Sequence, residues 1–127
     1  ILDAEEEEIL QDKLGDTLFV KDFPKRANPF WNMKQYPGGR HFYKVDVLLY
    51  GMETIGSAER SCSPEEMREM FHTNSDGKYA QLLFDQFSKE RVEKELEEYL
   101  ALEMFPRFGG GIGVTRMVRA LKLLGKE

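Results

Sequence analysis

Near its C-terminus the chain reads Gly109, Gly110, Gly111, Ile112, Gly113, Val114, Thr115, Arg116, followed by the basic, apolar helical pattern MVRAL. Glycine at this density lets a backbone approach a ligand more closely than side chains would permit. The helix that follows offers unpaired N–H groups and the positive end of its dipole, which suit an anion. Arg116, in the first turns, adds a planar cation matched to phosphate oxygens. Taken alone, the same residues read equally well as a glycine turn capping a core helix.

A second constellation lies upstream, around Gly51. Phe42 to Tyr50 reads FYKVDVLLY, rich in β-branched and aromatic residues, with Lys44 and Asp46 interrupting the apolar side. METIGSAERS follows and fits a second strand, so the pattern predicts a hairpin with its turn near Gly51. Gly56, Ser57 and Ala58 mark a place where a ligand lies on the sheet. Pairing brings Asp46, Glu53, Glu59 and Arg60 onto one small sheet. Alternation puts Glu53, Ile55, Ser57 and Glu59 on one face and Arg60 on the other, unless a bulge at the glycine intervenes. Carboxylates in such strands are costly to bury unless they are paired or hold a metal.

On these residues the chain resembles the class II aminoacyl-tRNA synthetases of the aspartate, asparagine and lysine subgroup. GGGIGVTRMVRAL is similar to the family's motif 3, the glycine loop and helix that hold ATP. VDVLLYGMETIGSAER is similar to the strand pair before motif 3, where an Asp and a Glu seven apart hold ATP and magnesium; Asp46 and Glu53 have that spacing. Seven further on, Arg60 stands where the aspartate and asparagine branches carry the Arg that grips the amino-acid side chain, and where the lysine branch lacks it. TLFVKDFPKRANPFWNMK, from Thr17 to Lys34, resembles a segment of the asparaginyl enzymes. Two departures stand beside this. Pro106, Arg107, Phe108, Gly109 replaces the usual Pro-His-Gly-Gly, and GGGIG is closer to the ammonia-dependent asparagine synthetases. Nothing matches motif 1 or motif 2, so the resemblance implies residues 1–127 to be the C-terminal part of a catalytic domain, with a helical insert over about 63–104.

The resemblance implies carboxylate activation: asparagine or aspartate and ATP give an aminoacyl-adenylate and pyrophosphate. Arg116 and Glu53 are then the catalytic residues. Asp46, Glu53, Ser57, Gly111, Gly113 and Arg116 bind ATP, Asp46 and Glu53 hold Mg2+, and Arg60 binds the amino acid. It further implies tRNA as a partner, a homodimer when the protein is complete, and a cytoplasmic location. A tRNA-independent asparagine synthetase and a non-catalytic paralogue or fragment, binding a nucleotide or a partner, are the alternatives. Without motif 2 the 127-residue chain alone is expected to be inactive.

The rest of the sequence agrees. Ile1 in place of Met, with no signal peptide and no long apolar run, leads to the expectation of a trimmed soluble protein that spans no membrane. A net charge of −5 gives no whole-chain attraction to nucleic acid. Cys62, the single cysteine, excludes an internal disulfide, and two histidines are too few for a zinc site. Asp3 to Leu14 reads as an acidic helix stopped by Gly15, with Glu5 to Glu8 a solvated face, and Thr17 to Phe23 as a strand ended by Pro24. Lys34 to Arg40 reads as a turn near the substrate. Ser63-Pro64-Glu65-Glu66 carries a capping box and starts a helix to about Phe71. After a break at Asn74, Asp76 and Gly77, helices follow over about Lys78 to Phe87 and, capped by Ser88, to Met104. The pattern specifies an α+β fold: an antiparallel sheet carrying the site, flanked by helices.

Overall fold

The computed structural model describes residues 2–126. Its centre is a four-stranded antiparallel sheet in chain order, β1 (Thr17–Pro24), β2 (His41–Leu49), β3 (Met52–Glu59) and β4 (Phe108–Ile112). Helix α1 (Ala4–Leu14) begins at Asp3, whose carboxylate accepts from the Glu6 N–H at 2.9 Å while Glu6 reaches back to the Asp3 N–H. That reciprocal cap, with three glutamates in the first turn, suits the positive end of the dipole.

The hairpin between β2 and β3 turns at Tyr50 and Gly51, both at positive φ (48° and 73°), the two-residue geometry that matches strand twist. Val47 pairs with Ile55 but Leu48 pairs with Glu53, so Thr54 is an extra residue in β3. This bulge lies two residues before the glycine where the alternation allowed for one. Beyond Lys44 and Ala58 the two strands part, and residues 33–35 fill the gap. The Lys34 N–H bonds the Glu59 carbonyl at 2.9 Å, and the Lys34 carbonyl accepts from the Tyr43 N–H at 3.0 Å.

The glycine run, expected as a loop, is instead strand β4. Gly111, Gly110 and Gly109 pair with Gly56, Ser57 and Ala58. Glycine has no preference for strands, so pattern could not reveal this. Packing requires it: a Cβ on Gly110 would lie 2.6 Å from the Gly56 carbonyl oxygen and 2.8 Å from the Ser57 Cβ. Helix α5 (Val114–Leu124) follows, and Arg119 clamps the hairpin turn by donating to the carbonyls of Leu49 (3.3 Å) and Tyr50 (2.9 Å).

Between β3 and β4 the chain forms helices α2 (Pro64–Thr73), α3 (Lys78–Phe87) and α4 (Lys89–Leu100). Only half of the expected capping box forms at α2. Ser63 Oγ accepts from the Glu66 N–H, but the Ser63 N–H is given to Ser61 Oγ at 3.0 Å. Ser75, Asp76 and Gly77, all at positive φ, make the break before α3. Helix α4 ends at Leu100 rather than Met104: the Ala101 N–H still bonds the Glu97 carbonyl at 3.0 Å, but the Leu102 N–H turns to the Tyr99 carbonyl at 3.1 Å in a tighter final turn. Met104 folds back instead onto the insert's core of Met67, Phe71, Ala80, Val92, Leu96 and Leu100. Trp31, from the β1–β2 connection, closes that core edge-on against Phe71 (5.5 Å) and Tyr99 (5.4 Å). Each such pair adds about 0.5–1.5 kcal/mol beyond area burial.

Two measurements check this packing. Gly110→Ala should lower stability in urea unfolding by roughly 1–3 kcal/mol through overpacking, whereas Gly111→Ala, with nothing within 4 Å of its Cβ position, should leave it nearly unchanged. Between α2 and α4, burial disfavours a charged His72. Its ring nitrogens nevertheless face Glu93 Oε1 at 2.7 Å and the Arg68 carbonyl at 2.8 Å, and the net effect holds its pKa above the usual 6.5. A raised folded-state pKa stabilises fully below the unfolded value and is lost as pH rises through the folded one. The thermal midpoint of the wild type, relative to Glu93→Gln, should therefore fall as pH rises from below 6.5 through the raised folded-state pKa.

Candidate functional site

Register and the Thr54 bulge together decide which side chains meet. Asp46 stands opposite Gly56, and Leu48 opposite Glu53, so Asp46, Glu53, Gly56 and, by alternation, Ala58 and Arg60 share one face. Ile55, Ser57 and Glu59 take the other. A Cβ on Gly56 would lie 3.0 Å from Glu53 Oε1 and 3.5 Å from Asp46 Oδ1, so the glycine leaves room between the two carboxylates. Both line a cleft of about 460 Å³, whose apolar wall includes Val20, Phe23 and Phe30.

The charges in the cleft are uneven. Asp46 is 7% exposed and ion-paired with Lys44, whose ammonium lies 4.0 Å above the centre of the Phe23 ring. Burial first, and the Asp46 charge second, raise the Glu53 pKa above the ordinary carboxylate value, with Lys44 and Arg116 opposing. Arg60 is free of acids. Lys34 takes Glu59 on the far face at 2.8 Å and Lys44 takes Asp46, and Arg60 is in no ion pair of the described residues. The Arg60 guanidinium donates instead to Asn32 Oδ1 at 3.3 Å and lies against β4, where a Cβ on Gly109 would be 2.7 Å from its Nε.

Of the expected site residues only Asp46 and Glu53 line the cleft; Arg60, on the same face, lies outside its lining, and the others stand elsewhere. Ser57 projects from the opposite face because the bulge precedes it, and its hydroxyl donates to the Val45 carbonyl at 3.1 Å. Arg116 does not line the cleft with the Glu53 carboxylate; its Nη1 donates to the Glu53 backbone carbonyl at 2.7 Å, and the side chain is exposed. The turn at Pro37–Gly39 lines a separate cavity with Lys34 and Tyr43. Gly111 pairs with Gly56, and Gly113 is the N-cap of α5, its N–H bonded to the Thr54 carbonyl at 2.8 Å.

Sequence reasoning missed several contributors. Lys44 was legible as a base two residues from Asp46 on the same strand face. Asn32 carried no signal, since only the crossing of residues 33–35 between strands brings it to Arg60. Arg107, the departure from the usual His, joins the Ser61 carbonyl (3.3 Å) to the Tyr99 hydroxyl (3.3 Å) and so ties β4 to the insert. Asn74, read only as a helix break, donates to the Pro29 carbonyl at 3.1 Å and lines the cleft.

Among the described residues no group of three or more His, Cys, Asp or Glu could hold a metal alone. A magnesium ion needs less: one or two carboxylates beside substrate phosphates and water. Two carboxylates flanking a glycine, one with its proton affinity raised by burial and then by the other, fit that requirement. No helix among the described residues is long and apolar enough to cross a membrane.

Residues 3–125 match the family described as tRNA synthetases class II (D, K and N). No curated protein matches the chain. Among solved structures it is similar to the Entamoeba histolytica asparaginyl-tRNA synthetase in complex with asparaginyl-adenylate, with a TM-score of 0.73 at 21% identity over 95% of this chain and 25% of that one. The Pyrococcus horikoshii asparaginyl-tRNA synthetase gives 0.70 at 21%, over 95% and 26%. The Entamoeba histolytica aspartyl-tRNA synthetase gives 0.65 at 20%, over 94% and 23%. The chain thus spans about a quarter of the length of these structures, and at such identities the likeness is one of fold.

Proposed function

Because the chain belongs to the class II tRNA synthetases (D, K and N), we propose that it supplies part of a catalytic domain that activates asparagine or aspartate as the aminoacyl-adenylate. The observation that carries this reading is the shared face of Asp46, Glu53 and an Arg60 left unneutralised beside Gly109. An arginine held by a neutral amide keeps its full charge for a ligand oxygen, so Arg60 grips the side-chain oxygen of the amino acid. The substrate α-carboxylate attacks the α-phosphorus of ATP, the bond to the β-phosphate breaks, and pyrophosphate leaves. Asp46 and Glu53 hold the magnesium–phosphate assembly, and Gly111 and Gly113 give the nucleotide room along β4 and the start of α5. Arg116 has one donor on the Glu53 carbonyl and others left for the γ-phosphate. Magnesium, when bound, neutralises phosphate charge as the transition state forms.

A partial domain is supported by the surface. β4 is an edge strand with one partner, and Phe108, Ile112 and Val114 around it are exposed. The complete protein is read as a cytoplasmic homodimer with tRNA as acceptor. The alternative, an asparagine synthetase using ammonia, rests on the GGGIG run and on Arg107 in place of the usual His.

In the natural full-length protein, ATP–pyrophosphate exchange should proceed with asparagine or aspartate and not with lysine, and this chain alone should show none. Arg60→Leu should lower kcat/KM for the amino acid at least about a hundredfold, the loss of a buried charge-assisted contact, with ATP affinity nearly intact. Glu53→Gln should do the reverse, weakening magnesium-dependent ATP use far more than amino-acid binding. Normal amino-acid KM in Arg60→Leu, or lysine as the preferred substrate, would remove the assignment of Arg60.

A further inference from the structure

Lys44 has no part in the reading above, yet it is the single cation among the described residues lining the cleft, against three carboxylates, Glu7, Asp46 and Glu53. Its position is built rather than incidental. It shares a strand face with Asp46, two residues away, and both side chains are largely withdrawn from water, at 20% and 11% exposure. The Phe23 ring beneath the ammonium adds a second, cation–π restraint. An ordinary surface ion pair would be exposed and would contribute little.

The arrangement sets up a competition. Asp46 Oδ1, one of the two oxygens beside the Gly56 gap, is the oxygen that Lys44 holds. A divalent cation taking that oxygen between Asp46 and Glu53 competes with the ammonium for it and repels it. The displaced ammonium, anchored by its stem in the same cleft, then has three donors and no carboxylate partner. A phosphate oxygen entering with the metal is the matching acceptor.

We propose that Lys44 is a further nucleotide-binding residue: a resident cation that competes with the divalent metal for Asp46 and, once displaced, binds a phosphate oxygen of the nucleotide. This rests on the reading of the cleft as a metal–nucleotide site. It gives effects of opposite sign for metal and nucleotide, which loss of packing would not produce.

The test uses the chain itself, with manganese(II) chloride followed by electron paramagnetic resonance and ATP followed by equilibrium dialysis. Lys44→Met should bind manganese alone several-fold more tightly and manganese–ATP about tenfold more weakly, with Lys44→Arg restoring ATP binding. Asp46→Asn should do the opposite, weakening manganese binding while tightening metal-free ATP, and decides the matter if Lys44→Met does not fold. Unchanged or weaker manganese binding in Lys44→Met, or unaltered ATP binding in both variants, beside a wild type that binds both, overturns this inference alone. A wild type that binds neither overturns it together with the reading beneath it.

Discussion

One extra residue in β3, at Thr54, sets the chemistry of this sheet. With regular pairing Glu53 would lie on the face of Ser57 and Glu59, away from Asp46 and Arg60. The bulge moves it across, at the cost of an interrupted ladder. The surroundings meet that cost with hydrogen bonds: Arg116 donates to the Glu53 carbonyl, the Gly113 N–H to the Thr54 carbonyl, and Thr54 Oγ1 to the Met52 carbonyl at 3.1 Å. The glycine segment and α5 therefore hold the bulge in place, and with it the carboxylate pair.

Charge is partitioned by the same geometry. Around β3 the two faces carry separate lysine–carboxylate pairs, Lys44 with Asp46 on one and Lys34 with Glu59 on the other. Arg60 shares in neither pair, and its guanidinium is oriented by a neutral amide and lies against Gly109 of β4, where a side chain would collide with it. An amide fixes an arginine's direction without cancelling its charge, whereas a carboxylate partner would do both.

The helical insert reaches this arrangement through one stretch of chain. Trp31 is anchored among Phe71 and Tyr99 in the insert core, and the next residue, Asn32, holds Arg60 and accepts from the Ser61 N–H at 2.8 Å. Asn74 on the Pro29 carbonyl and the Ser75 N–H on Asn28 Oδ1 fix the same stretch from the other end. Packing in the insert thus sets the direction of a side chain on the sheet.

The helices, the hairpin turn at Tyr50–Gly51, the antiparallel class and the family motifs were all legible in the sequence. Each depends on local periodicity, capping residues and turn chemistry, which act over a few positions. Met104 outside α4 and the half-formed box at Ser63 show the limit of local signals, since packing on the insert core and the Ser61 hydroxyl overrode them. The pairing of Gly109–Gly111 as a strand, the side on which Glu53 and Ser57 fall, and the Asn32–Arg60 contact were decided only in three dimensions. Glycine has no strand preference to read, and one residue of bulge reverses every face assignment beyond it. A contact between residues 28 positions apart exists only once the sheet and the insert have packed.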